Sequence, residues 1–496
     1  MRINWQSGWV GGAQQILIPV SNNQGEWQQG LEKIANQLGL SMGAALHDFK
    51  AEVGETLVLY GQQGKVFLLG LGSSGSFPDF LKAARLFSAR QKNKLSTHLD
   101  IYLEQCTLDQ VQQHSCIEAL VNGLYLGTYD AGKYKTTESD LHPLATAEAS
   151  LTFYLPADFD QAAVANAVER GRVIAETQLA VFDLINAPGN KKYPAQLATF
   201  AQAAGVRGNF SVRVLEKAQL EAEGFHALLA VNQGSPEPPV CVVMEYVPSQ
   251  PALSTIGLVG KGVTFDTGGI SIKPSASMHH MKSDMSGAAA VFGTIEVAAR
   301  LNLPFHLIGI APATENSVDA ESLKPGDVIG SYNGKTIEVT DTDAEGRLIL
   351  ADALSYLVRN YKVDAIVDLA TLTGSAARIL GTHAACFFAN DDALADALAQ
   401  AGDASGERMW RLPLWDVYKD ELKSDVADLR NFSGKPAAGA ISAAKFLEVF
   451  IEEHPSWAHL DIAGVAYGDS EFLPHKTASS YGVRLLVEWL VAKMRA

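Results

Sequence analysis

The sequence predicts an α/β protein in two parts. A smaller N-terminal α/β domain is joined by a helix to a larger C-terminal α/β domain with a mixed, mostly parallel central sheet. Three observations carry that expectation. The chain has 496 residues, more than one ordinary hydrophobic core accommodates. Strand and helix patterns alternate along nearly all of it. Val240 to Tyr246, Leu307 to Ile310 and Val363 to Leu372 read as near-continuous apolar strands, as in a sheet covered by helices on both faces.

Residues 1–157 are expected to form the first domain. Gln15 to Val20 is a short apolar strand, and Thr56 to Leu71 reads as two strands around Gln62-Gln63-Gly64. Asp79 to Lys92 is helical, His98 to Leu103 alternates as a strand, Leu108 to Tyr125 is helical, and Ser150 to Leu155 is a strand. Residues 158–184 form one long helical pattern with Ala162, Val164, Ala167, Val168, Ile174 and Leu179 on related faces, and serve as the connector. Asn186-Ala187-Pro188-Gly189-Asn190 stops it, since glycine, proline and asparagine break helices. Residues 185–496 then alternate helix and strand to the end. No internal repeat or low-complexity segment stands out.

Composition narrows the function. Apolar residues make up 47% and charged residues 19%, a globular balance. The formal charge, 39 minus 55, is −16. That disfavours nucleic acid or an anionic membrane as the main partner, because both require clustered Lys and Arg. The opening MRINWQSGWVGGAQQ has no basic segment followed by an apolar one, and no run of 18 apolar residues occurs, so neither a signal peptide nor a spanning helix is expected. Cys106, Cys116, Cys241 and Cys386 are scattered without a CxxC pair, which suits reduced, buried thiols and a cytoplasmic location.

Two blocks carry chemistry. In DTDAEGRLIL, Asp341 to Leu350, Asp343 and Glu345 lie two apart after the strand-like Thr336-Ile337-Glu338-Val339. On an extended backbone they would share a face, and two carboxylates aimed at one point repel unless a cation separates them. Arg347 opens a helical run, Leu348 to Val358, whose N-terminus favours anions. Upstream, the strand Thr255 to Val259 runs into Gly260-Lys261-Gly262, followed by Asp266, Gly268-Gly269, Lys273, and Asp284 just before a helical run from Gly287 to Ala299. Carboxylates and lysines thus collect at strand ends, where open α/β sheets bind ligands. Four hard carboxylates without thiolates suit two divalent ions such as Zn, Mn, Mg or Co, which balance their charge.

These blocks resemble the leucyl aminopeptidase family, cytosolic exopeptidases with two metal ions. DTDAEGRL matches the family signature NTDAEGRL at seven of eight positions. GKGVTFDTGG, SIKP and MHHMKSDMSGAA match its upstream pattern, and DLATLTG, GAISAAKFL, WAHLDIAG and YGVRLL follow in family order. The likeness covers roughly residues 160–496.

The resemblance implies hydrolysis of the N-terminal residue of a peptide, Leu and other apolar residues preferred, through a metal-bridging water. It implies that Asp266 and Glu345 bridge the two ions, that Lys261 and Asp284 complete a tighter site, and that Asp343 completes a looser one, where Mg or Co is compatible beside Zn or Mn. To ligate, Lys261 must be neutral; burial and a nearby dication both push that way. By the same resemblance Lys273 and Arg347 are catalytic: Lys273 holds the oxyanion forming on the scissile carbonyl, and Arg347 helps bind a bicarbonate ion that serves as general base. Met278, Thr371 and Gly374 are expected to line the pocket for the first side chain. A homohexamer is implied as well.

Asp341 replaces the signature Asn and adds negative charge near the cluster, a departure that bears on metal preference and pH optimum, whereas Thr267 in place of the usual Ser is a modest change. His279 and His280, at variable family positions and without HExxH, are weak candidates as ligands. A two-metal phosphoesterase, decided by an aryl phosphate assay, conflicts with Lys261 and the motif order. A DNA-binding role, decided by salt-dependent gel retardation, conflicts with the acidic balance. GLVGKG fits neither the dinucleotide GxGxxG nor a Walker loop.

Overall fold

A computed structural model describes residues 1–8, 14–22, 48–61, 64–103, 108–137 and 140–495. Gln62, Gln63 and Cys106 lie outside the described residues. The chain divides into two compact units, residues 1–179 with 471–474, and residues 180–470 with 475–495. The division falls inside the helix Gln161–Asn186.

The first unit contains a six-stranded sheet of β1 (Arg2–Ser7), β2 (Gln15–Val20), β3 (Thr56–Tyr60), β4 (Lys65–Gly70), β5 (His98–Tyr102) and β6 (Ser150–Leu155). Their order is β1-β6-β5-β2-β4-β3, and only the β3–β4 hairpin is antiparallel. Helices Phe77–Arg90 and Gln110–Leu126 pack against each other. Both start on side-chain caps. Ser76 accepts from the Asp79 N–H, and Asp109 and Gln112 form a reciprocal capping box, which satisfies N–H groups that have no partner inside the helix. One apolar core joins Leu17, Phe67, Phe87, Leu120 and Phe153.

The second unit is built on a nine-stranded sheet: β7 (Ser211–Leu215), β8 (Val240–Tyr246), β9 (Thr255–Gly260), β10 (Gly262–Asp266), β11 (His306–Asn316), β14 (Ala365–Ala370), β15 (Ala385–Ala389), β16 (Met409–Arg411) and β18 (Trp457–Asp461). The path is β16-β15-β18-β14-β9-β11-β8-β7, with β10 also on β11. The pairs around the centre, β18-β14-β9-β11 and β10-β11, are parallel; β7–β8, β8–β11 and β15–β18 are antiparallel. Two-residue strands β12 (Val328–Ile329), β13 (Ile337–Glu338) and β17 (Leu429–Arg430) make a separate small sheet. The strand pattern of Thr336 to Val339 therefore shrinks to two paired residues, and that of Val363 to Leu372 to its centre.

Apolar strands in this sheet are buried on both faces because period-two alternation supplies each. Val259, Ile308, Ile310 and Ile366 join the core under helix Gly346–Asn360. The alternating set, including Ile256 and Leu258, is also buried, on the side where helix Ser286–Arg300 packs against β9 and β11. That helix begins unusually close to the sheet. A Cβ at Gly287 would lie 2.0 Å from the Leu369 carbonyl oxygen and 3.0 Å from the Lys261 nitrogen. This contact places the Asp284 segment beside the carboxyl ends of β9 and β14.

Candidate metal centre and substrate pocket

Lys261 sits in the one-residue break between β9 and β10, and its side chain is almost wholly buried. Its ammonium lies 2.8 Å from Asp284 Oδ2 and 2.8 Å from Glu345 Oε1, and donates to the Thr371 carbonyl at 3.0 Å. Helix Gly346–Asn360 can come this close because its first residue has no side chain; a Cβ at Gly346 would stand 2.6 Å from Lys261 Nζ. Asp266 ends β10. Its Oδ1 accepts from the Gly268 N–H and from Asn316 Nδ2, both at 2.8 Å. Gly268 and Gly269 have φ of +89° and +66°, a left-handed turn that side chains resist. A Cβ at Gly268 would also meet Asp343 Oδ1 at 2.7 Å.

Oxygens of Asp266, Asp343 and Glu345 lie within 4.8 Å of one another. Asp284 stands outside this triad and reaches Glu345 through Lys261. Lys273 closes the other side, with its ammonium 2.8 Å from Asp266 Oδ2 and in contact with Asp343. The structure thus brings Lys261, Asp266, Lys273, Asp284, Asp343 and Glu345 into one cluster.

Asp343 and Glu345 do not converge as alternate residues of a strand. Asp343 lies in a turn in which its N–H donates to Asp341 Oδ1 at 2.9 Å and the Ala344 N–H approaches the Asp341 carbonyl. Glu345 already has helical dihedrals, φ −75° and ψ −35°, as the residue before the helix. The turn and the helix start, not the pleat, aim the two carboxylates together. The same turn gives Asp341 its role. An Asn oxygen would accept the Asp343 N–H equally well, so the substitution keeps the local geometry and changes the charge. Thr267 likewise donates to the Asn316 carbonyl at 2.8 Å, a bond that a Ser hydroxyl also makes.

Crowded carboxylates in a buried site hold their protons. Burial, reinforced by Asp266 and Glu345 and opposed by Lys261, pushes Asp284 up to about 8. Burial and Asp266 raise Asp343 to about 7 against the pull of Lys273. Glu345 moves up for the same reasons. Burial lowers Lys261, as the sequence reading expected, but Asp284, Glu345 and Asp266 outweigh it and lift the ammonium above its ordinary range. Among protein groups alone the cluster is short of positive charge. Asp284 Oδ2, Asp343 Oδ1 and Glu345 Oε1 are buried, accept no well-directed hydrogen bond, and face only lysine ammoniums. Hard oxygen donors gathered in one cluster with unused lone pairs fit divalent cations.

Arg347 is buried in the first turn of its helix. Nη1 donates to the Asn431 carbonyl at 2.8 Å, while Nε has no partner among the described residues. Burial lowers the guanidinium to about 10, with Glu345, Asp341 and Asp461 opposing the fall; it remains charged at neutral pH. The Leu348 N–H is already bonded to the Glu345 carbonyl at 2.9 Å. An anion beside Arg347 would have to compete with the Glu345 carbonyl for that donor.

A cavity of about 470 Å³ opens onto Lys261, Asp266, Lys273, Asp284 and Asp343, and Met278, Thr371 and Gly374 line it. His280 lines its wall, with its ring 5.3 Å from that of Tyr467; neither His279 nor His280 belongs to the carboxylate triad.

Several contributors escaped sequence reasoning. Asn316 donates to Asp266 and to the Thr342 carbonyl, and lies within 3.5 Å of Glu345 Oε2. Asn431 ties Thr340, Asp341 and Ala344 together. Asp461 accepts from the Leu372 and Thr373 N–H groups and from Thr373 Oγ1 at 2.6 Å, which holds the turn carrying Thr371 and Gly374. Ala463 and Tyr467 line the cavity beside that turn. The WAHLDIAG echo marked the Asp461 region, but nothing local marked Asn316 or Asn431.

Comparison with known proteins places these features. The chain matches the cytosol aminopeptidase family model for the catalytic domain over residues 180–487 and for the N-terminal domain over residues 19–138. A probable cytosol aminopeptidase of Chlorobium luteolum is 45% identical, covering 96% of each chain. One from Chlorobaculum tepidum is 43% identical over 89% of this chain and 90% of the other. Among solved structures, a tomato leucine aminopeptidase mutant superposes with TM-score 0.88 at 31% identity, covering 99% of this chain and 96% of that one. The bottromycin maturation enzyme BotP in complex with Mn superposes with TM-score 0.83 at 32% identity, covering 97% and 99%.

Proposed function

Because the chain belongs to the cytosol aminopeptidase family, and is thereby a peptide-hydrolysing aminopeptidase with a metal-binding acidic cluster, we propose that it removes Leu and other apolar residues from peptide N-termini, using two divalent ions. The observation that carries this reading is the convergence of Asp266, Asp343 and Glu345 within 4.8 Å, with Asp266 and Asp343 opening onto a cavity that Met278, Thr371 and Gly374 also line.

In this reading Asp266 and Glu345 would help hold both ions, with Lys261 and Asp284 completing the tighter position and Asp343 the looser. The position of Glu345 between Lys261 and the other two members of the triad, Asp266 and Asp343, supports assigning it to both metal positions. Bound there, the ions supply an acidified water near neutral pH and an anchor for an uncharged amine. Zn or Mn fits both positions, with Mg or Co acceptable at the looser one; the likeness to the Mn complex of BotP supports Mn. Lys273 faces the cavity beside Asp266 and stabilises the negative charge that grows on the scissile carbonyl oxygen. Thr371 and Met278 orient the first side chain. We assign catalysis to residues 185–496, the connecting role to 158–184 and a separate domain to 1–157.

No helix among the described residues is long and apolar enough to cross a membrane. The names of the relatives support a cytoplasmic location. Exposed Trp410, Trp415, Val417 and Val426 support burial against further copies, in a homohexamer.

The test is chemical. Leu-p-nitroanilide should be cleaved and its N-acetyl form should not, because acetylation removes the amine that anchors the substrate. Equal rates on both would sink the exopeptidase reading.

Arg347 is assigned to holding a bicarbonate ion, which would supply a general base when bound. Its unpartnered Nε and retained charge support this, since arginine suits planar oxyanions. Arg347→Ala should keep its metals and lose turnover, together with any response to added bicarbonate. Wild-type protein degassed of carbonate should slow and recover on adding bicarbonate. No response in the wild type, with full turnover in Arg347→Ala, would require another base.

A further inference from the structure

Lys192 is buried, 1% exposed, and its ammonium has no carboxylate partner among the described residues. Lysine is almost never buried in this way without a counter-ion, and a methionine of similar length would avoid the desolvation. What Lys192 does contact is specific. Nζ donates to the Ile185 carbonyl at 2.8 Å and to the Lys282 carbonyl at 2.5 Å. Lys282 returns the contact, its own Nζ donating to the Asn186 carbonyl at 2.8 Å. Two lysines thus cross between the turn Met278–Ser283 and the end of the helix Gln161–Asn186 with the segment after it: Lys192 holds the Lys282 carbonyl, and Lys282 holds the carbonyl of the last helical residue.

The clasp grips both approaches to the carboxylate cluster. Lys282 stands two residues before Asp284, so the Lys192–Lys282 bond fixes the backbone from which Asp284 reaches Lys261. The same segment closes on β10 at Gly189, where a Cβ would lie 3.2 Å from the ring of Phe265, the neighbour of Asp266. The Asn186 side chain extends the tie, donating to Thr477 Oγ1 at 2.8 Å and accepting from the Ala478 N–H at 3.1 Å. Burial, with the Lys282 charge beside it, pulls Lys192 well below the ordinary lysine range. That is the cost of placing a strong donor where only carbonyls receive it.

We infer that Lys192 and Lys282 form a reciprocal clasp that positions Asp284, and that Lys192 is a positioning residue of the metal centre. The inference rests on the reading of Asp284 as a ligand. Lys192→Met keeps the length and removes the donor. It should fold with a thermal midpoint close to that of the wild type, because relief from burying the amine offsets two carbonyls left without that donor. It should nevertheless release one of its two ions at a chelator concentration about 10-fold lower, the scale on which outer partners tune metal sites. Lys192→Gln, which still donates, should recover most of the retention. Wild-type retention in Lys192→Met overturns the inference. If Lys192→Met does not fold, Lys282→Met in the same titration decides: early release upholds the clasp, and wild-type retention overturns it. Asp284→Ala belongs in the series. If it also keeps both ions, the ligand reading has failed and the clasp with it, whereas early release in Asp284→Ala alone removes only the clasp.

Discussion

Glu345→Ala is expected to lose bound metal and activity together, with turnover falling by more than the 10- to 100-fold typical of losing an outer partner. Glu345 is buried beneath the cluster, 1% exposed, with Oε1 at Lys261 and Oε2 facing Asn316. Its removal takes one negative charge from between the Lys261–Asp284 side and the Asp266–Asp343 side, so cations on both sides lose a partner. Asp284→Ala should lose metal from the Lys261 side alone, since Asp284 lies outside the triad. Metal content by mass spectrometry beside turnover reads both. Two metals per chain and normal turnover in either variant would show that the ligand assignment is wrong.

Lys273→Ala should behave oppositely, keeping both metals and losing about 100- to 1000-fold in turnover, the usual cost of one oxyanion donor. Its ammonium neighbours Asp266 and Asp343. Removing a positive charge from beside those carboxylates leaves a cation at least as well held, so a loss of turnover with metal retained isolates the effect on the substrate. Lys261→Ala is the comparison. Lys261 joins Asp284 to Glu345, and its loss should empty the tighter position. The reverse pattern, metal lost with Lys273 and retained without Lys261, would exchange their roles.

The carboxylates and lysines of the cluster were legible because they are concentrated. Lys261 to Asp284 and Asp341 to Arg347 are two short blocks at strand ends and a helix start, and their charged residue types stand out against apolar flanks. Strand positions were legible because apolar runs such as Val240–Tyr246 must be buried. The geometry was less so. The pair Asp343 and Glu345 suggested a pleated strand from spacing alone, yet the Asp341 turn and the helical dihedrals of Glu345 bring them together. The strand at Ile337–Glu338 ends before the pair, where hydrogen bonds to Asp341 and within the first helical turn set the backbone instead.

Sequence by itself determined the two-part α/β organisation, the family and the identity of the clustered carboxylates and lysines, because periodicity and motif chemistry are local properties of the chain. Only the tertiary structure decided how these groups are held. Asn316 meets Asp266 across 50 positions and Lys192 meets Lys282 across 90. A polar side chain is worth burying only where a distant partner receives it, and that partner is set by packing the sheet, not by the residues on either side.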